Sequence, residues 1–170
     1  MTATFWQRLD KAGRNLAPFA VTVMLVLVGM IPVPVPAYTP VAPLLTLVSV
    51  YYWTIHRPDL MRPGVAFLIG LLQDLLIGGP LGVNALLLVV AQGAVLNQRR
   101  VFLASTFALL WIGFAMVMTG AVLLQWLAFS ALNASVLPLK PALFQGLLTI
   151  AMFPAVGWLL IRVHRAFLNG

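Results

Sequence analysis

The chain has 170 residues and a net charge of +7, yet 62% of its residues are hydrophobic and only 8% are charged. A soluble domain carries roughly 25% charged residues, so too few polar side chains exist here to screen an apolar core from water. Lipid must solvate most of the surface, and the lack of cysteine excludes disulfides, zinc–thiolate sites and thiol catalysis.

The charges cut the sequence into apolar stretches. Residues 15–56 carry no formal charge, a run about twice the roughly 20 residues that one spanning helix needs. Pro32, Pro34, Pro36, Pro40 and Pro43 crowd its middle. Proline lacks the backbone N–H and cannot propagate a helix, so this segment reads as an extended, polyproline-like connector. One helix is expected from about Leu16 to Ile31, within a span of 16–36, and a second over 41–56. Residues 63–98 carry Asp74 as their only charge, with the turn-forming run Gly78-Gly79-Pro80-Leu81-Gly82 near the centre. Two short helices over 63–78 and 82–98, joined as a tight hairpin, are expected. A long fifth span over 101–128 follows, then a polar connector through Asn133 and Ser135. The last span covers 141–162, and Pro154 is expected to kink it.

The distribution of charge sets an orientation. Six spans place Arg8, Lys11, Arg14, Arg57, Arg62, Arg99, Arg100, Arg162 and Arg165 on one side and leave Lys140 alone on the other. Basic residues accumulate on the cytoplasmic side of membrane proteins, so both termini are expected to be cytoplasmic. The +7 charge is therefore a topology signal, not a nucleic-acid footprint. A cleaved signal peptide ending at Val35-Pro36-Ala37 is disfavoured by its over-long apolar region and surrounding prolines. The first fifteen residues place Phe5, Trp6, Leu9 and Leu16 near one helical face, which suits either an interfacial helix or a plain basic flank.

Few residues are available for chemistry. Asp10 and Asp59 fall in the expected cytoplasmic segments, whereas Asp74 lies within a span, where a carboxylate is costly and faces protein or water. Ala66, Gly70, Asp74 and Gly78 recur every fourth residue as a stripe of small side chains, which lets helix backbones approach. Asp74 is thus expected in a helix interface, with the Asn84 amide across the turn as its hydrogen-bond partner. Whether Asp74 is protonated there stays open, as do capping and proton- or ligand-site roles. His56 and His164 fall at separate helix ends, too isolated in sequence for a metal cluster. No serine–histidine pair, carboxylate cluster or phosphate loop is present. Gln73, Gln92, Gln125 and Gln145 are expected to act as interhelical glue. Tyr51, Tyr52 and Trp53 are expected to anchor the helix end in an interfacial aromatic belt. Neither a cofactor nor an enzymatic activity is expected.

The ordered set Tyr52-Trp53, His56-Arg57-Pro58, Gly64, Phe67, Gly70, Asp74-Leu75, Gly78 and Pro80-Leu81-Gly82 resembles the rod shape-determining protein MreD family. The specific resemblance covers about Pro43 to Gln92, and chain length and helix count fit throughout. Members of that family often carry histidine where this chain has Asn84. The resemblance implies an all-α, six-helix bundle in the bacterial inner membrane, similar in fold to the substrate-binding subunits of energy-coupling-factor vitamin transporters. It implies a non-enzymatic subunit of the elongation machinery that binds an MreC-like bitopic protein. Through that partner it would serve the MreB filament, the RodA glycosyltransferase and a class B penicillin-binding transpeptidase. The resemblance marks Gly70, Asp74, Gly78, Pro80, Gly82, Tyr52, Trp53, Arg57 and Pro58 as structural or interaction candidates, to which its spacing from Asp74 adds Asn84. The alternative is a transporter subunit holding a small ligand.

Overall fold

The computed structural model describes residues 5–32, 34 and 41–168, with the side chains of residues 5–11, 14 and 168 outside that description. The disfavoured cleavage site and most of the proline connector, Pro36 and Pro40 included, lie outside the described residues, as does the apolar face expected of Phe5, Trp6 and Leu9. The described residues form six helices: α1 (Phe5–Gly29), α2 (Leu45–His56), α3 (Pro63–Ile77), α4 (Val83–Leu103), α5 (Phe107–Leu132) and α6 (Leu139–Leu168). Three of them, α4 to α6, are long and apolar enough to cross a membrane, and α1 and α3 contain shorter apolar helices. The chain is a transmembrane helical protein.

Several boundaries differ from those expected. α1 begins at Phe5, so the basic flank and the apolar run form one continuous helix that passes through Pro18 and ends at Gly29. Arg99-Arg100 does not divide α4 from α5, because long basic side chains reach the interface without breaking the helix beneath them. Arg99 instead folds back, its Nε donating to Ile55 O at 2.7 Å. α4 runs on to Leu103, and the break falls at Ala104–Thr106, where Thr106 adopts an extended backbone before α5. α6 continues six residues beyond the expected end at 162 and remains helical through Pro154.

Two prolines show how irregular backbone is tolerated here. Pro154 cannot donate to Ile150 O, four residues earlier. That orphaned carbonyl accepts instead from Trp111 Nε1 of α5 at 2.9 Å. At the entry to α6, before Pro138, Trp126 Nε1 donates to Leu137 O at 2.9 Å. Trp111→Phe is expected to destabilise the bundle by about 1–2 kcal/mol, since it leaves a carbonyl unpaired. Pro154→Ala restores an intrahelical donor, so the same substitution should cost clearly less in that background. A double-mutant cycle on thermal unfolding checks this coupling.

The core forms around α2. Every residue of this helix except His56 is buried, and it touches α1, α4, α5 and α6. Its 12 residues rise about 18 Å, well short of a bilayer core of roughly 30 Å. A helix apolar all round is a buried one, and α2 forms the axis of the bundle. In lipid, burial alone supplies little driving force, so close packing and interhelical hydrogen bonds must hold such helices together. Thr22 Oγ1 donates to Pro18 O at 2.6 Å and lies 2.7 Å from Ser49 Oγ, joining α1 to α2. Gln92 Nε2 donates to Met61 O, tying α4 to the turn before α3.

The described end of the proline connector is not a free strap. Val41, Pro43 and Leu44 are buried. Gln145 Nε2 donates to Ala42 O at 2.8 Å, and Leu44 N donates to Thr149 Oγ1 at 3.0 Å. The Thr149 hydroxyl in turn donates to Gln145 O. Buried non-helical backbone needs such partners, and two side chains one turn apart on α6 supply them.

Candidate functional site

The site begins with the α3–α4 hairpin. Gly78 ends α3 with φ of +70°, its N–H donating to Asp74 O, and Gly82 precedes α4 with φ of +99°. Glycine occupies such left-handed positions without the Cβ penalty other residues meet. Half-buried Pro80 stiffens the turn between them. Ala66 is fully buried, and a Cβ at Gly70 would overlap the Ala85 backbone, so the small stripe is where α3 and α4 touch.

The turn folds the first turn of α4 back over Asp74, which is 1% exposed. Asp74 Oδ2 accepts from Gly82 N at 2.8 Å and Ala85 N at 3.4 Å. Asp74 Oδ1 accepts from Asn84 Nδ2 at 2.8 Å and Asn84 N at 3.2 Å. The carboxylate of one helix thus caps the next, at the end where exposed N–H groups and the helix dipole favour an anion. Asn84 Oδ1 lies 3.5 Å from Gln125 Nε2, which extends the network to α5. All four donors to Asp74 are protein N–H groups, and among the described residues no second carboxylate, histidine or hydroxyl bonds to it. The geometry is that of a clasp, in which all four donors point at the carboxylate and tie the two helices together. Of the four glutamines, Gln125 joins two helices as expected, Gln92 and Gln145 tie their helices to non-helical backbone through Nε2, and buried Gln73 Oε1 has no partner among the described residues.

The other candidates gather at the opposite end of the bundle. Tyr52 and Trp53 are not interfacial anchors. Trp53 is fully buried and Tyr52 nearly so, because α2 is central and its end is roofed by α6. His56 and His164, remote in sequence, meet there with ring centroids 5.8 Å apart. Tyr52 Oη lies 3.2 Å from His164 Nδ1, the Tyr52 ring stacks on His56, and Trp53 stacks on His164. Sequence spacing could not reveal this cluster, since Tyr52 and His164 are separated by 112 residues. The available signal was α2 itself, too short to span and equally apolar on every side. Two imidazoles without a third ligand make no metal centre, and no group of three ligating side chains occurs among the described residues.

Arg57 caps α2 through its N–H to Trp53 O at 2.7 Å, and its guanidinium meets Asp59 through two bonds of 3.3 and 3.1 Å. Pro58 is half-buried in the same turn. The Arg57 hydrogen bonds hold the Asp59 carboxyl below its usual range, against a smaller opposing effect of burial. A depressed carboxyl lends stability above its ordinary value and loses it as pH falls through the folded value. Asp59→Asn should therefore alter thermal stability slightly at about pH 7, since the pair is exposed. The difference should start to fall near the ordinary value of 3.8 and vanish only in stronger acid, below the depressed folded value.

The hairpin with its Asp74 clasp and the Tyr52-Trp53 end of α2 are now fixed in space. The family described as rod shape-determining protein MreD matches residues 11–163, nearly the whole chain. The chain belongs to the MreD family. No curated protein and no solved structure matches it. Membership brings a role in determining rod shape, and the match reaches into all six helices, so the clasp and the Tyr52-Trp53 end of α2 lie within it, while His164 falls one residue beyond.

Proposed function

We propose that this MreD chain is a non-enzymatic scaffold of the bacterial elongation machinery, seated in the inner membrane with both termini cytoplasmic. It would bind an MreC-like bitopic protein and, through it, support lateral peptidoglycan synthesis by a RodA glycosyltransferase and a class B penicillin-binding transpeptidase along MreB filaments. The observation that carries this reading is the family match over residues 11–163. The internal architecture agrees with it. The polar groups at the Asp74 site are spent on joining helices, and the turn with Arg57 and Arg62, the Arg99 end of α4 and the His164 end of α6 converge at one end of the bundle. Such a gathering of basic residues at one end supports the orientation proposed, because basic residues accumulate on the cytoplasmic side.

Gentle detergent extraction from the native membrane, followed by identification of co-purifying chains, tests the proposal. Recovery of a bitopic partner with cell-wall synthases is expected, together with rounding of rod cells on depletion. Recovery of a nucleotide-driven transport module, with cell shape unchanged, would overturn it.

A further inference from the structure

At the end of the bundle that holds Asp74, a cavity of about 360 Å³ opens between Val41-Ala42, the last turns of α5 and the first turns of α6. Its volume falls within the roughly 300–1,000 Å³ typical of small-molecule sites. Trp126 and Phe129 give it an aromatic wall, and Gln125 and Gln145 give it two primary amides. Among the described residues no charged side chain lines it, and Lys140, although next to Pro141 in sequence, is not part of the wall.

The hydrogen bonds of that wall restrict what fits. The Trp126 N–H is spent on Leu137 O and one Gln145 N–H on Ala42 O, so both carbonyls are already satisfied. One Gln125 N–H faces Asn84 Oδ1. Each glutamine amide still has an Oε1 acceptor and a second N–H to offer. Against this wall an ionised ligand would give up water without meeting a counter-charge among the described residues, which is unfavourable. We infer that this cavity binds a small uncharged molecule that carries an amide or hydroxyl on an apolar, ring-sized body. Because Gln125 belongs both to the cavity wall and to the Asn84 network, an occupant is felt at the Asp74 clasp. The inference does not depend on the scaffold reading.

The test uses the full chain in phospholipid nanodiscs and a matched pair of probes, N-acetylprolinamide and N-acetylproline, followed by saturation-transfer NMR at neutral pH. The two differ only in carrying a neutral amide or a carboxylate. Saturation of the amide is expected, with the carboxylate weaker by about tenfold, equivalent to about 1.4 kcal/mol. Ala142→Leu fills the cavity and should abolish the signal, and Gln125→Leu should weaken it by a similar tenfold. If Ala142→Leu does not accumulate in the membrane, Ala42→Leu closes the cavity from the opposite wall. Equal binding of both probes, no binding of either, or a signal that survives cavity filling would overturn the inference. The last outcome would mean partition into lipid only.

Discussion

Asp74→Leu is expected to lower stability by about 3 kcal/mol, because it leaves several donors unpaired where they cannot readily be rehydrated. The lost acceptor serves three backbone N–H groups and the Asn84 amide. The leucine also removes the anion from the first turn of α4, where the helix dipole had favoured it. For a chain of this size such a loss corresponds to about 6–12 °C in the thermal midpoint, measurable in detergent by intrinsic fluorescence. Asp74→Asn separates charge from geometry. Its single Oδ1 can still accept from Asn84, but its Nδ2 would face the N–H groups of Gly82 and Ala85, donor against donor. An intermediate loss is therefore expected. In cells that depend on this chain for rod shape, Asp74→Leu should give rounding and Asp74→Asn a milder defect. Full rod shape with Asp74→Leu would show that the clasp is dispensable, and full rod shape with Asp74→Asn would exclude any role that needs Asp74 to change its protonation.

What can be read from the sequence is what is local or counted. The Asp74–Asn84 contact spans 10 residues across a glycine-rich turn, so helix rise alone brings the two together. The stripe of Ala66 and Gly70 is equally legible, since fourfold spacing is a property of one helix. The helix breaks are less so. Charge reads as punctuation at Arg99-Arg100, whereas the real break follows where backbone bonding lapses at Ala104–Thr106. The aromatic end of α2 misleads because a Tyr-Trp pair beside arginine has the same composition whether it lies in an interface or in a core. Only the packing of α6 across α2 decides between them, and that contact has no trace in local sequence. The donors that repair Ile150 O and Ala42 O are hidden for the same reason, since tryptophan and glutamine reveal their partners only in three dimensions.

Gly70 provides the second large effect, acting on the clasp from the backbone side. A Cβ at this position would overlap Ala85 Cα and lie 2.6 Å from Ala85 N and 2.8 Å from Asn84 C. These are main-chain atoms, so no rotamer change relieves the overlap, and α3 and α4 must part. Overpacking typically costs about 1–3 kcal/mol, and against main-chain atoms that cannot yield the cost lies at the top of that range, well above the roughly 1 kcal/mol that alanine gains over glycine within a helix. Gly70→Ala is therefore expected to lose about 2 kcal/mol, and Gly70→Val more. At Gly64, in the first turn of the same helix, an added methyl group would meet nothing within 4 Å, so Gly64→Ala should be neutral or slightly stabilising. The pair separates contact from propensity within one helix. The atoms displaced at Gly70 belong to Asn84 and Ala85, whose N–H groups are donors to Asp74. Moving them loosens the clasp, so Gly70→Ala and Asp74→Leu should be less than additive when combined. Strict additivity in thermal unfolding would mean that the close approach at Gly70 and the carboxylate cap are independent, and that the hairpin is not held as one unit.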